Sequence, residues 1–178
     1  FSVERMTERT LQTYHEAFHS HRLLVIKLSA TGDVILATPS LRAIRQAFPK
    51  AWIAVLVGLE HREVLQRCPY VDEVLVYDRR GRDRGWWGLW RLGRRLRVYA
   101  LDATIDLHNN RVSHALAWLT RAGKRYGYGG RPWSRLLTHR AKPWSGPTPP
   151  VEHQFQVLRQ AGIAATDDQG VTMLGFGW

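Results

Sequence analysis

Cysteine and long apolar runs are the scarcest features of this sequence. The 178 residues include one cysteine, Cys68, which excludes an intramolecular disulfide and agrees with a reducing compartment. We expect Cys68 to pack as a small apolar side chain. No apolar run approaches the ~18 residues that span a bilayer, and residues 1–21 lack the apolar core of a secretory signal. These absences predict a cytoplasmic protein.

Acidic residues are also few. Fifteen Asp and Glu against 26 Lys and Arg give a formal charge of +11, which favours a polyanionic partner: nucleic acid, an anionic membrane or a phosphorylated substrate. The alternative is a fragment whose remaining portion balances the charge. Because no base-reading motif is present, nucleic acid is not the expected partner. The pairs His19/His21 and His108/His114 lack supporting ligands, so we predict no metal site and no cofactor.

Short apolar runs alternate with amphipathic stretches from residue 22 onward. The runs predict strands at 23–27, 52–57, 73–77, 103–107 and 125–128, and the intervening periodicity predicts helices at 38–47, 61–67, 85–98, 111–120 and 151–161. Strands that are apolar on both faces and alternate with helices are typical of a parallel sheet. The predicted fold class is therefore α/β, with a Rossmann-like, doubly wound, mostly parallel sheet. We divide the chain into an extra N-terminal helix (1–21), this domain (22–163) and a tail or linker (164–178).

The stretch VIKLSATGDVILATPSLRAI places Gly32 and Asp33 where the first strand passes into a helix. Ligands of doubly wound folds collect outside the carboxyl ends of the strands, and Gly32 would let a ligand approach the main chain. If Thr38 is the N-cap of the main helix and Pro39 its first residue, Asp33 lies in a preceding turn. If it begins at Asp33, the carboxylate caps free amides and Pro39 bends the helix. Neither GxGxxG nor GxxxxGK[ST] is present, which argues against the commoner nucleotide sites.

The sequence resembles the ADP-heptose:lipopolysaccharide heptosyltransferases, inverting glycosyltransferases of the GT-B fold. The resemblance rests on LLVIKLSATGDVILATPSLRAIRQAFP, IAVLVG, VDEVLVYD, IDLHNNRVSHALAWLTRAGKRYGY and VEHQFQVLRQAGI, covering residues 22 to 163. It implies that the chain is the N-terminal, acceptor-binding lobe of a GT-B enzyme. It further implies that Asp33 is the catalytic base, and that ADP-heptose is held mainly by a C-terminal lobe absent from these 178 residues. The implied acceptor is an acidic glycolipid, the lipopolysaccharide inner core.

Several residues near the expected ligand edge are candidates for acceptor binding. DLHNNR follows the fourth predicted strand, and its side chains can hydrogen bond sugar hydroxyls, with Arg111 gripping a carboxylate or phosphate. Asn110 could equally cap the next helix. The full set of predicted acceptor-binding residues is Lys27, Ser29, Thr31, Gly32, Asp106, His108, Asn109, Arg111, Lys124 and Arg125.

The segment RRGRDRGWWGLWRLGRRLRVY combines indoles with arginines. Read as a helix from Gly85, it directs Leu89, Leu92, Leu96 and Tyr99 to the core. Indoles flanked by arginines suit an anionic membrane interface, so Trp86, Trp90, Arg94 and Arg97 are predicted membrane contacts. The alternative is a surface helix whose indoles cover the edge of the core.

Two function classes follow. The first is a heptosyltransferase-like enzyme, present as its acceptor lobe and possessing little activity alone, located in the cytoplasm and peripherally on the inner membrane. The second is a truncated, catalytically inactive homologue that binds an acidic glycolipid.

Overall fold

The computed structural model describes residues 21–142, 150–164 and 172–173. The predicted N-terminal helix, except for His21, and nearly all of the predicted tail lie outside these residues. The described part contains six strands of one sheet, a two-stranded antiparallel pair and six α-helices. The sheet strands are β1 (Arg22–Ile26), β2 (Trp52–Gly58), β3 (Glu73–Tyr77), β4 (Ala103–Asp106), β5 (Lys124–Tyr128) and β6 (His139–Ala141), and the small pair is β7 (Ile163–Ala164) with β8 (Thr172–Met173).

The helices are α1 (Thr31–Ile35), α2 (Thr38–Ala47), α3 (Arg62–Leu65), α4 (Gly85–Arg97), α5 (Arg111–Leu119) and α6 (Pro150–Gln160), with 3-10 turns at Leu59–His61 and Pro132–Leu136. Helices α1 to α5 connect successive strands of this sheet, and α6 follows its last strand. The predicted α/β class with a doubly wound parallel sheet is therefore confirmed.

All neighbouring strands of the six-stranded sheet run parallel, in the order β3-β2-β1-β4-β5-β6. Along the chain the sheet grows outward from β1 to β3, and then resumes on the other side of β1 with β4. The order reverses between β1 and β4, and doubly wound folds bind their ligands in the crevice at such a switch point. The topology thus directs attention to the carboxyl ends of β1 and β4.

Both faces of the sheet are covered, which explains why its central strands are almost continuously apolar. On one face Leu23 and Val25 of β1 join a buried cluster with α2 and α6. On the other face Leu24 and Ile26 join a cluster with α4 and α5. The predicted core stripe of α4 is confirmed for its three leucines, which are 2–6% exposed, while Tyr99 is half-buried.

Helices α4 and α5 are in close contact at Gly93. A Cβ atom added there would lie 2.5 Å from the Cβ of Leu119, a distance that real side chains do not adopt. A glycine in a helix interior normally costs about 1 kcal/mol relative to alanine. At this position the close helix contact requires it.

We predict opposite stability effects for two glycine substitutions in helices. Gly93→Ala should lower the free energy of unfolding by about 1–3 kcal/mol because of overpacking against Leu119. Gly32→Ala should leave it unchanged or raise it by up to about 1 kcal/mol, since a Cβ at Gly32 meets nothing within 4 Å. Urea denaturation of the two variants measures the difference, and equal midpoints would contradict the packing described for α4 and α5.

Candidate acceptor and catalytic site

A cavity of about 270 Å³ lies at the carboxyl edge of the sheet. Its lining includes Gly58 and Tyr77, which end β2 and β3, and Ser29, which follows β1. His108 and Asn110 contribute from the loop after β4. The cavity therefore lies at the switch point of the sheet.

Lys27 and Asp33 form an ion pair beside this cavity. The Lys27 Nζ lies 3.4 Å from the Asp33 Oδ2, and it donates a hydrogen bond of 3.3 Å to the carbonyl of Leu107. The lysine side chain is 9% exposed and that of Asp33 is 53% exposed. A buried ammonium is tolerated only when it is paired, so Lys27 is a fixed cation that holds one oxygen of an otherwise accessible carboxylate.

Asp33 is not a helix cap. It lies within the first turn of α1, whose N-terminus at Ala30 has no side-chain cap hydrogen bond. The main helix α2 begins at Thr38, with Ala37 rather than Thr38 in the capping position and Pro39 in the first turn. The interpretation of Asp33 as a cap is therefore wrong, and its partner is Lys27.

Gly32 and Thr31 present two different surfaces beside Asp33. Gly32 has helical backbone in α1, so the conformational freedom of glycine is not used there, and the space around its Cα is open. The Thr31 hydroxyl lies 3.0 Å from the Nδ1 of His61, which is buried. A ligand could reach the main chain at Gly32, while Thr31 is positioned by a histidine that the sequence analysis did not identify.

The Asp106 carboxylate fixes the loop after β4 through hydrogen bonds. Its Oδ1 accepts hydrogen bonds from the backbone amides of His108 (2.8 Å) and Asn109 (3.0 Å). Its Oδ2 lies 3.4 Å from the Nε2 of His114, and both side chains are fully buried. Burial raises the pKa of Asp106 and lowers that of His114, and in each case the charge of the partner opposes the shift. Asp106 therefore binds the backbone of the site and does not face the cavity, contrary to the prediction that it binds acceptor.

Asn110 begins α5 with a capping box. Its Oδ1 accepts a hydrogen bond from the Ser113 amide at 2.8 Å, and the Ser113 hydroxyl accepts one from the Asn110 amide at 3.0 Å. The capping interpretation of Asn110 is thus confirmed. Asn109 takes a left-handed backbone conformation, with φ of 56°, which an asparagine adopts more readily than most residues.

His108 is a neutral group facing the cavity. Burial lowers its pKa to about 4, with the positive charge of Lys27 lowering it further and Asp33 acting in the opposite direction. At physiological pH the imidazole can both donate and accept a hydrogen bond. It adds no charge to the site.

The cavity also contains two charged residues that the sequence analysis missed. Glu60 and Arg79 both line it, and they follow the carboxyl ends of β2 and β3. The rule that ligands bind beyond the ends of parallel strands would have identified them.

Lys124 and Arg125 are not brought to this edge. They begin β5, where they pair with Ala103 and Thr104 at the start of β4, so they lie at the amino-terminal edge. The Arg125 guanidinium donates to the carbonyls of Leu136 and Ala122. The structure places both residues across the sheet from Asp33.

The four predicted membrane contacts occupy different surroundings on α4. Trp86 is 61% exposed, whereas Trp90 is half-buried beneath the Arg94 guanidinium, which lies 5.0 Å from the ring. The Arg97 Nε donates a hydrogen bond of 2.8 Å to the carbonyl of Leu119. Arg97 is thus bound to α5, while Trp86 and Arg94 lie at the surface.

The described residues contain neither a candidate metal site nor a membrane-spanning helix. No group of three or more His, Cys, Asp or Glu side chains is arranged to hold a metal ion. Within the same residues no helix has the length and apolar character required to cross a membrane.

Solved structures of glycosyltransferases share this fold. A glycosyltransferase family 9 protein from Veillonella parvula matches with a TM-score of 0.73 and 28% identity, over 86% of this chain and 45% of that one. Heptosyltransferase II of E. coli matches with a TM-score of 0.57 and 25% identity, over 70% of this chain and 35% of that one. The resemblance to the heptosyltransferase family is confirmed. The fold is that of one GT-B lobe.

Two further comparisons bear on the extent of this likeness. The E. coli heptosyltransferase WaaC with ADP shares the fold with a TM-score of 0.69 at 24% identity. Among curated proteins, a Haemophilus influenzae protein named "Putative glycosyltransferase" is 26% identical over 105 residues, which is 59% of this chain. No family model matches the chain. The match spans 29% of the curated relative and about half of the family 9 and WaaC structures, 45% and 50% respectively.

We predict that removing the charge of Lys27 and removing the charge of Asp33 shift the pKa of His108 in opposite directions. In the unaltered chain, NMR of the imidazole should give a midpoint near 4, so that the ring is neutral above pH 5. Lys27→Met should raise the midpoint because a nearby positive charge is removed, and Asp33→Asn should lower it because a negative charge is removed.

Arg42→Gln is the control, since it removes one positive charge from an exposed position on α2. It should leave the midpoint unchanged. A midpoint near the ordinary value of ~6.5 in the unaltered chain would contradict the burial of His108 in this site.

Proposed function

We propose that this chain is the acceptor-binding lobe of an inverting glycosyltransferase that transfers a heptose from ADP-heptose to an acidic glycolipid. The observation that carries the proposal is the Asp33 carboxylate, half exposed and held by the buried Lys27 at the switch point. The family 9 and heptosyltransferase structures that share the fold support it. We assign the activity to the full-length enzyme, because this chain spans 45% of the family 9 structure and 35% of heptosyltransferase II.

In the proposed reaction Asp33 is the general base. An acceptor hydroxyl gives its proton to the Asp33 carboxylate as its oxygen attacks the anomeric carbon of the donor sugar. The bond between that carbon and the ADP oxygen breaks on the opposite face, so ADP leaves with the electron pair and the configuration inverts. Lys27 keeps the Asp33 carboxylate oriented through the ion pair of 3.4 Å. General-base assistance of this kind contributes about 10²–10⁴ in rate.

Residues that line the 270 Å³ cavity, together with Thr31, Gly32 and Arg111 outside its lining, are proposed to bind the acceptor. Neutral His108 and the hydroxyls of Ser29 and Thr31 suit sugar hydroxyls. Arg79 and Arg111 suit the carboxylates or phosphates of an acidic inner core, since guanidinium groups bind such anions through two parallel hydrogen bonds. Open space at Gly32 allows a sugar to approach the main chain.

Glu60 is the competing base, since it is the carboxylate that lines the 270 Å³ cavity itself. We predict that, in the full-length gene product, Asp33→Asn lowers kcat by about 10²–10⁴ with little change in KM. Glu60→Gln should retain kcat within a few-fold. Steady-state transfer from ADP-heptose to an inner-core acceptor measures both variants, and near-normal turnover by Asp33→Asn would show that the base assignment is wrong.

The second candidate is an inactive homologue that binds an acidic glycolipid. It predicts acceptor binding without transfer, and turnover by the full-length gene product distinguishes the two.

We propose a cytoplasmic protein that contacts the inner membrane peripherally through the outer surface of α4. A cavity of about 520 Å³ there is lined by Arg82, Arg91, Arg94 and Arg95 around Trp90 and Val98. Buried Asp83 holds Arg95 at 2.5 Å, so the Arg95 guanidinium is ordered in advance. Each cation close to an anionic surface adds about 1 kcal/mol of attraction, which makes phosphate headgroups the expected partner.

We predict flotation of the chain with vesicles containing anionic phospholipid at low salt, and release at high salt. Trp90→Ala combined with Arg94→Ala should reduce flotation severalfold. Trp118→Ala, which removes an indole that is 48% exposed on α5, is the control and should behave as the unaltered chain. Equal flotation of the two variants would contradict contact through α4.

A further inference from the structure

A second cavity adjoins the one that contains His108. It has a volume of about 340 Å³, and Tyr77 and Val112 line both cavities. Its remaining walls come from the first turn of α4, the start of α5 and the 3-10 turn at Pro132–Leu136. The two cavities therefore meet at Tyr77 and Val112.

The second cavity contains two indoles that the rest of the fold does not bury. Trp86 is 61% exposed and Trp133 is 47% exposed, and both line it. Exposed aromatic rings gathered in a concave site mark a binding surface more often than a structural one. The sequence analysis assigned Trp86 to membrane contact and did not single out Trp133.

Arg111 lies in the same cavity, with its guanidinium carbon 5.6 Å from the centre of the Trp133 ring. In such an arrangement the face of the guanidinium packs on the indole, and its N–H groups donate in their own plane. The Arg111 guanidinium and the Trp133 indole can therefore contact the same ligand. A purely apolar occupant, such as an acyl chain, would leave the arginine without a counter-charge.

A sugar ring with an acidic substituent matches this combination. One face of a pyranose consists largely of C–H groups, which pack on an indole, while its rim carries hydroxyls and its substituent can be a carboxylate or phosphate. The cavity volume is at the lower end of the range of about 300–1,000 Å³ for small-molecule sites. That size suits one or two sugar residues rather than a lipid anchor.

We propose that the second cavity is a subsite for the acidic sugar residue next to the reacting sugar of the acceptor. Trp86 and Trp133 pack on the ring and Arg111 binds its anionic group. This inference rests on the proposed function, because it assigns to the acceptor a chain of at least two sugars. It also separates two roles within one helix: Trp86 contacts saccharide, while the arginine cavity around Trp90 faces headgroups.

The test is calorimetric titration of the full 178-residue chain with the acyl-free, water-soluble oligosaccharide of the lipopolysaccharide inner core. Trp133→Ala and Trp86→Ala should each weaken binding roughly fivefold to tenfold. Trp87→Ala is the matched control, because Trp87 is the next residue of α4, is 74% exposed and does not line the cavity. It should bind as the unaltered chain does.

Arg111→Gln supplies an independent measurement. It should weaken binding and also reduce the dependence of affinity on salt, because one charged contact is lost. Loss of binding through altered folding would appear as a lowered melting temperature, which is not expected for exposed side chains.

Each failure has a distinct meaning. If the unaltered chain binds the oligosaccharide and Trp86→Ala, Trp133→Ala and Trp87→Ala all bind equally well, the subsite is wrong and the proposed function stands. If the unaltered chain does not bind the oligosaccharide, the acceptor class and the subsite are both wrong. If the chain instead floats with phosphatidylglycerol vesicles that lack saccharide, and Trp86→Ala abolishes that flotation, Trp86 belongs to the membrane contact and the subsite is again wrong.

Discussion

The site depends on one buried cation, the Lys27 ammonium. The Lys27 side chain is buried where β1 ends, so its positive charge must be matched within the protein. The Leu107 carbonyl and the Asp33 carboxylate match it. Those two partners belong to the loop after β4 and to α1, respectively. Lys27 therefore connects the three segments that meet at the switch point, and it leaves Asp33 half exposed towards a ligand.

The cavities of 270 Å³ and 340 Å³ are consequences of the same arrangement. Parallel strands end together, so residues that follow β1, β2, β3 and β4 converge on one edge. Polar groups line the 270 Å³ cavity, and the indoles line the 340 Å³ cavity. The 520 Å³ cavity collects arginines around α4. The first two cavities share Tyr77 and Val112, and neither shares a lining residue with the third.

Most of the sheet was predictable from sequence because its strands are buried on both faces. The predicted bounds of β1 to β5 differ from the observed ones by one residue at most, and that of β3 does not differ. Strand β6 was missed because His139–Ala141 is three residues long and two of them are exposed, so no apolar run marks it. Helix α1 was ambiguous because Asp33 and Thr38 were alternative starts of a single helix, whereas the chain forms two successive helices.

The errors at the site have a common cause. The position of a residue in the sequence shows that it follows a strand. It does not show whether the side chain points into the cavity or into the protein interior. Asp106 follows this pattern: it ends β4 as expected, but its carboxylate binds the amides of the next turn. Lys124 and Arg125 could have been excluded, since residues that begin a parallel strand lie at the opposite edge. Thr31 alone gave no indication of His61, which lies 30 residues away.

The central claim, that Asp33 is the base for the acceptor, is tested most directly by a crystal structure of the chain with the acyl-free inner-core oligosaccharide. The account predicts a sugar hydroxyl within about 2.6–3.2 Å of an Asp33 carboxylate oxygen, with the Lys27 ion pair retained. An oligosaccharide whose hydroxyls contact Glu60 while none lies within reach of Asp33 would contradict it.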